Sequence, residues 1–453
     1  MNSLIYNRSK LNMVKAKGFS LIELMVAMVI GLIILLGLVS LFTSSSALNR
    51  AQSGLSVLQE NGRYAISRLK RDIEMAGRKH CATVAMPSSL TTDWNQGYEM
   101  TSWTANNDVT FSNGFPNNSD VIMDSETDND QLGDTALAGT DDFPIDPSYF
   151  IRGHECSASS CTPATTDLGS DLNAPLGGMG TADGDRPASS DILTMRYLTE
   201  SGGQQVFGIT PNAPTNPTSY QLDLDAPGVT GAGVNGIGLI SDCFKNHVYN
   251  INGNTVNVSA MPSFDVNSDT RLFDLDQDLR TVSYYLKLDT DPNQAGRLIS
   301  SLYRSENGVE QQMVEGVERF DVFYLAQTQT GHVVRMTADA INAVQGGGDG
   351  DNNGTVDGID GCIIPPRTNL NTFTGQDISN DQGCLWRSVY AIEIHMLLNT
   401  VDNSSTVDDD RYIYSPDGLT PQNPTAGLPS GLDAGRMYRR EFSAIVPVRS
   451  YTL

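Results

Sequence analysis

Gly18-Phe19-Ser20-Leu21-Ile22-Glu23-Leu24-Met25 opens the stretch whose reading decides the fold. From Phe19 to Phe42 the chain runs 24 residues with one ionisable group, Glu23. At about 1.5 Å per residue this makes a helix of roughly 36 Å, enough to cross a hydrocarbon core of about 30 Å. Residues 1–18 hold Arg8, Lys10, Lys15 and Lys17 and no acid. By the positive-inside rule that end stays cytoplasmic and the part behind the span is exported. An ordinary secretory signal has its cleavage site after the apolar stretch, whereas Gly18 comes before it. A carboxylate inside a span costs on the order of 2.5–3.5 kcal/mol at mid-depth, so Glu23 calls for a partner or a function. Cutting after Gly18 frees an α-amine at Phe19, and the amine of a neighbouring subunit could then neutralise Glu23.

The helical pattern continues beyond Phe42. Leu55, Leu58, Gly62, Ile66, Leu69, Ile73 and Ala76 recur at intervals of three or four, a stripe that must face something apolar. Arg63, Arg68, Lys70, Arg71, Asp72 and Glu74 fall mostly off it, and Gly77 is a plausible stop. The expectation is a spine from Phe19 to about Ala76, apolar all round over 19–42 and amphipathic over 43–77. Gly31, Gly37 and Gly54 are its weak points. No proline occurs between Phe19 and Pro87.

Gly18-Phe19-Ser20-Leu21-Ile22-Glu23 resembles the class III leader of type IV pilins and type II secretion pseudopilins. The resemblance implies cleavage after Gly18 by a prepilin peptidase, N-methylation of Phe19, and a contact from Glu23 to an adjacent subunit during assembly. Two further blocks, Leu58-Gln59-Glu60-Asn61-Gly62-Arg63-Tyr64-Ala65 and Arg71-Asp72-Ile73-Glu74-Met75-Ala76-Gly77, resemble the PilW family of minor pilins. Ser301-Leu302-Tyr303-Arg304, Val314-Glu315-Gly316-Val317-Glu318 and Arg439-Arg440-Glu441-Phe442 are similar to later stretches of that family. The usual proline kink of major pilins is missing, and residues 85–235 match no part of the family pattern. The resemblance implies a minor pilin, held in the inner membrane with a periplasmic head before it enters an extracellular pilus. Its partners would be other minor and major pilins through the N-terminal helix, and a tip adhesin, in priming or tip placement that serves twitching, adhesion or DNA uptake.

Composition agrees with export. The 453 residues carry 29 basic and 53 acidic side chains, a net charge of −24, which becomes −28 once the four leader cations are removed. So acidic a chain does not suit direct nucleic-acid binding, which needs a basic surface. Apolar content of 39% is enough to bury a core. The 42 glycines and 20 prolines favour a loop-rich β domain over a helix bundle. Six cysteines, Cys81, Cys156, Cys161, Cys243, Cys362 and Cys384, form an even set without CxxC. An oxidising compartment would let them pair. Cys156 with Cys161 closes a small loop and Cys362 with Cys384 a longer one, leaving Cys81 with Cys243; other pairings, and free buried thiols, stay open.

The expected fold class is α+β: the long N-terminal helix packed on an antiparallel sheet, with a large irregular β-rich insertion at 85–235 on the exposed side. Val389 to Leu398 alternates, with Ile392, Ile394, Met396 and Leu398 on one face and Glu393 and His395 on the other. Residues 319–325, 281–288 and 442–449 read as companion strands of that sheet, with Pro447 at an edge or a strand end. The head would span 78–453, its sheet lying within 240–453.

One metal motif stands out. Asp349, Asp351, Asn353, Asp357 and Asp360 place side-chain oxygens at loop positions 1, 3, 5, 9 and 12. Gly354 sits at position 6 and the Thr355 carbonyl at position 7, the spacing of a Ca²⁺ loop. Asp360 stands where the helical motif has a longer Glu, and Gly346-Gly347-Gly348 precedes the loop, so a calcium-stapled loop fits better than a switch. A solvated Asp/Asn/Gly turn is the alternative. Enzyme signatures are lacking: there is no HExxH, GxSxG or GxxxxGK[ST], and Gly231-Ala232-Gly233-Val234-Asn235-Gly236 leads into a strand-like run, as a turn would. Two other readings remain open, a type II secretion pseudopilin and an adhesin acting through 85–235.

Overall fold

The computed structural model describes residues 20–78, 80, 104–105, 143–144, 151–165, 176–199, 202–224, 233–242, 246–257, 261, 264–266, 269–328, 332–344, 384–403, 411–424, 428–429 and 431–448. The chain divides into two compact units, residues 1–54 and 55–453.

Helix α1 spans Leu21–Met75 without a break. It begins where the Ser20 carbonyl accepts the Leu24 N–H at 3.1 Å, which marks Ser20 as the N-cap position. Gly31 and Gly37 are accommodated in the continuous helix, with open space around both. The end is set by Gly77, whose φ of 72° lies in the left-handed region that glycine enters without penalty. From there the chain attaches to the head: Gly77 N–H donates to Arg196 O at 2.9 Å and Leu198 N–H to Arg78 O at 3.0 Å.

The body of the second unit is built from two antiparallel sheets. Its strands are β1 Ile151–Cys156, β2 Ile192–Leu198, β3 Leu279–Thr290, β4 Leu298–Glu306, β5 Val309–Glu315, β6 Val317–Gln327, β7 Val333–Met336, β8 Val389–Asn399 and β9 Arg439–Pro447. Among the described residues the first sheet has six strands in the order β5-β4-β3-β2-β1 followed by residues 161–162; the second has four, β7-β6-β8-β9. One core joins helix and both sheets. Leu58, Ala65, Leu69 and Ile73 of α1 pack with Met195, Tyr284, Leu302, Phe320, Ile394 and Met396, among others.

The fold class is the expected one, and two details differ from the reading above. Residues 281–288 do form a strand, but β3 pairs with β2 and β4 and lies in a different sheet from β6, β8 and β9. Alternation shows which side of a strand faces inward; its neighbours are chosen by contacts distant in sequence. Within 85–235, β2 is buried at every residue and sits between β1 and β3, so this part of the stretch is interior. Thr194 is satisfied there by Ser283, Oγ to Oγ at 2.7 Å.

On β8, Ile392, Ile394, Met396 and Leu398 enter the core. His395 points the other way yet is also buried, held between Glu441 at 2.6 Å and Glu393 at 2.8 Å. The Tyr414 hydroxyl donates to its carbonyl at 3.2 Å. Pro447 is the last residue of β9, an edge strand among those described, where a missing N–H costs nothing. Gly233, with φ of 69°, turns the chain into the strand that starts at Val234.

Candidate assembly site

The assembly segment is the first part of α1. Leu21 to Phe42 presents its apolar side chains outward, and none of its most apolar window is buried. It is long and apolar enough to cross a membrane. Glu23 lies in its first turn and is exposed. A bare apolar rod of this kind is stable only when lipid or other helices cover it. Gly18 and Phe19 lie outside the described residues.

Within residues 55–453 the end of α1 is bonded to the head through a buried carboxylate. Asp72 is buried with 2% of its surface exposed. Its Oδ2 accepts from the Tyr284 hydroxyl at 2.6 Å and from Arg304 Nε at 2.7 Å; its Oδ1 accepts from the Tyr197 hydroxyl at 3.2 Å. Arg68, one turn earlier, stands 3.8 Å away. Three adjacent strands, β2, β3 and β4, thus converge on one helical carboxylate. Burial and then the Asp72 charge push the Tyr197 hydroxyl up to about 12, and the same causes raise Tyr284 further. Burial pulls Arg304 down, but its bond and charge pairing with Asp72 outweigh this and leave it above its ordinary value. Tyr197, Tyr284 and Arg304 thus all donate to the one carboxylate of Asp72.

Sequence reasoning placed Asp72 off the buried face, and the structure corrects this. Buried positions Leu58, Gly62, Ala65, Leu69, Asp72 and Ala76 repeat at intervals of four and three, with Ile73 buried beside them. That signal was available: Asp72 occupies a place in the repeat where an apolar residue belongs. Gly62 is in the same row because the Phe442 ring of β9 leaves no room; a Cβ there would come within 2.4 Å of its Cε1. A second buried pair links β6 to β9 across β8. Arg439 donates to Glu318 through Nε at 2.8 Å and Nη2 at 3.0 Å, and Asn399 Nδ2 donates to the same carboxylate at 2.7 Å.

Cys156 and Cys161 are joined by a disulfide with Cα atoms 4.0 Å apart. Arg186 Nη1 lies 3.8 and 3.6 Å from the two sulfurs. The side chains of Cys81, Cys243, Cys362 and Cys384 lie outside the described residues, as does the whole loop with Asp349, Asp351, Asn353, Thr355, Asp357 and Asp360.

Residues 13–39 match the family model described as the prokaryotic N-terminal methylation motif. No curated protein and no solved structure matches the chain. The motif, the uncovered apolar helix behind it and the α+β head support a type IV pilin-like or pseudopilin-like subunit. Such a subunit is a structural component, anchored in a membrane before it joins other pilins.

Proposed function

We propose that this chain is a minor pilin of the PilW type, which enters a type IV pilus by its N-terminal helix and acts in pilus assembly or priming. The observation that carries the reading is the Gly18–Glu23 junction followed by an uncovered apolar helix. After the cut, Glu23 pairs with the Phe19 amine of a neighbouring subunit, and the helix buries its apolar surface among others of its kind. Asp72 ties the end of α1 to the head.

The PilW part gains support from how the resembling blocks meet. Asp72 of one block pairs with Arg304 of another, Gly62 accepts the Phe442 ring, and Glu318 pairs with Arg439. These segments are far apart in sequence and act as one clamp on the helix and its sheets. The 349–360 loop belongs to the proposal as a Ca²⁺ site of the exported head, supported by its ligand spacing.

A deletion strain tests the reading. Loss of surface pili with type II protein secretion intact is the expected result. Loss of secretion with pili intact would overturn it in favour of a pseudopilin. Normal pili that no longer attach would favour an adhesin. Complementation with Glu23→Ala should fail to restore filaments, and full restoration would remove the docking step.

A further inference from the structure

Strands β2 and β3 are antiparallel neighbours, with Leu198 directly opposite Leu279. Two such strands need only a two-residue turn between them. Here the chain makes an excursion of about 80 residues before returning to the partner strand. Within it lie strands 204–205, 208–211, 220–223, 234–241, 246–253, 255–256 and 271–274. These pair with one another and with 104–105 and 143–144, and among the described residues none pairs with β1–β9. They enclose a core of their own, built on Val206, Leu222, Ile240, Tyr249, Ile251 and Leu272, in which no residue of β1–β9 takes part.

The excursion is closed at a narrow neck. Asp278 holds both crossing segments: its carbonyl accepts the Thr199 N–H at 2.9 Å, and its Oδ2 accepts the Gly203 N–H at 3.2 Å and the Asp274 N–H at 3.0 Å. Gly203, with φ of 83°, makes the turn there. His80, just past the end of α1, touches the neck, with Nε2 2.6 Å from Asp269 O and its ring 5.6 Å from that of Phe273.

We propose that residues 202–274, with the short strands 104–105 and 143–144 paired onto them, form a β module plugged into the β2–β3 turn, and that the pilin body needs 202–274 neither to fold nor to enter a filament. Independence follows from the core on one face of the module's sheet and from its separate hydrogen-bond ladder; on the other face Leu239 and its register partner Phe273 are buried too, Phe273 against His80. Dispensability follows from the register, because β2 and β3 already stand where a tight turn would hold them. The filament half rests on the assembly reading given above; the folding half does not.

Hydrogen exchange on the full chain in detergent tests the folding half. Ile251→Ala opens a cavity in the module core, which should speed exchange of the amides at 248–251 by roughly 30- to 5,000-fold. Amides of β3 and β8 should change by less than about twofold. Parallel acceleration in β3 and β8 would mean a single cooperative unit and would overturn the proposal. The filament half is tested by replacing 199–278 with Asn-Gly and blotting sheared filaments. Incorporation near the parent level is expected. A variant that melts cooperatively yet is missing from filaments would overturn that half. Absence of the parent chain itself from filaments would instead sink the assembly reading and leave the exchange result standing.

Discussion

Replacing Asp72 with Ala should loosen the joint between α1 and the head. The substitution removes one acceptor from two buried tyrosine hydroxyls and the carboxylate from a buried guanidinium. Arg304 keeps a bond to Glu306 at 2.5 Å, but Glu306 is partly exposed to solvent and offsets less than the buried Asp72. Truncating one partner of a buried pair costs about 3–5 kcal/mol, because a charge stays buried without compensation. Asp72→Asn leaves an acceptor for the tyrosines and loses the charge, so about 1–3 kcal/mol is expected. Urea unfolding of the full chain in detergent, followed by fluorescence of the buried Trp386, reads both. A double-mutant cycle with Arg304→Ala should return a coupling of about 2 kcal/mol or more. A cost below about 1 kcal/mol for Asp72→Ala, or a coupling near zero, would refute the anchoring role.

Gly62→Ala should lower the melting temperature, because the new methyl collides with Phe442; about 1–3 kcal/mol of overpacking is expected, and pairing it with Phe442→Leu should recover part of the loss. His154 is fully buried, with Nδ1 2.9 Å from Pro163 O, and burial lowers its pKa to about 3. Its protonation is therefore blocked in the fold but open in the unfolded chain below about 6.5, so stability is full above that pH and falls as pH drops toward 3, by up to about 1.4 kcal/mol per pH unit. Urea midpoints of His154→Gln should show a shallower fall over that window, and an unchanged slope would rule the residue out. Asp351→Ala should lower thermal stability only when Ca²⁺ is present, and equal melting shifts with Ca²⁺ and with chelator would remove the calcium loop from the account.

The spine was the most legible element. An unbroken apolar run, a 3–4 repeat and a terminal glycine predict a helix from Phe19 to about Ala76, and α1 runs from Leu21 to Met75. Strands were legible where alternation was strong, as at 389–398. What could not be read was partnership. Residues 281–288 and 319–325 alternate in the same way and belong to different sheets, because pairing is decided by contacts distant in sequence, 81 to 91 residues for β3 with β2 in the first sheet and 63 to 81 for β6 with β8 in the second. The apolar stripe through Leu69, Ile73 and Ala76 leaves Asp72 off the predicted buried face. Only Arg304 and the two tyrosines, supplied by strands far along the chain, make its burial tolerable. The 202–274 module was hidden for a similar reason: its strands are short, rich in Asn, Gly and Thr, and weakly alternating, so they resemble loops until they stack.

The central claim is that the chain is processed at Gly18 and works through the new amino end and Glu23. Mass spectrometry of the N-terminal peptide, recovered from membranes of the producing cells, addresses it most directly. The account requires a chain that starts at Phe19 and carries one methyl group on its amine. A chain that retains residues 1–18, or is cut after the apolar stretch, would contradict it.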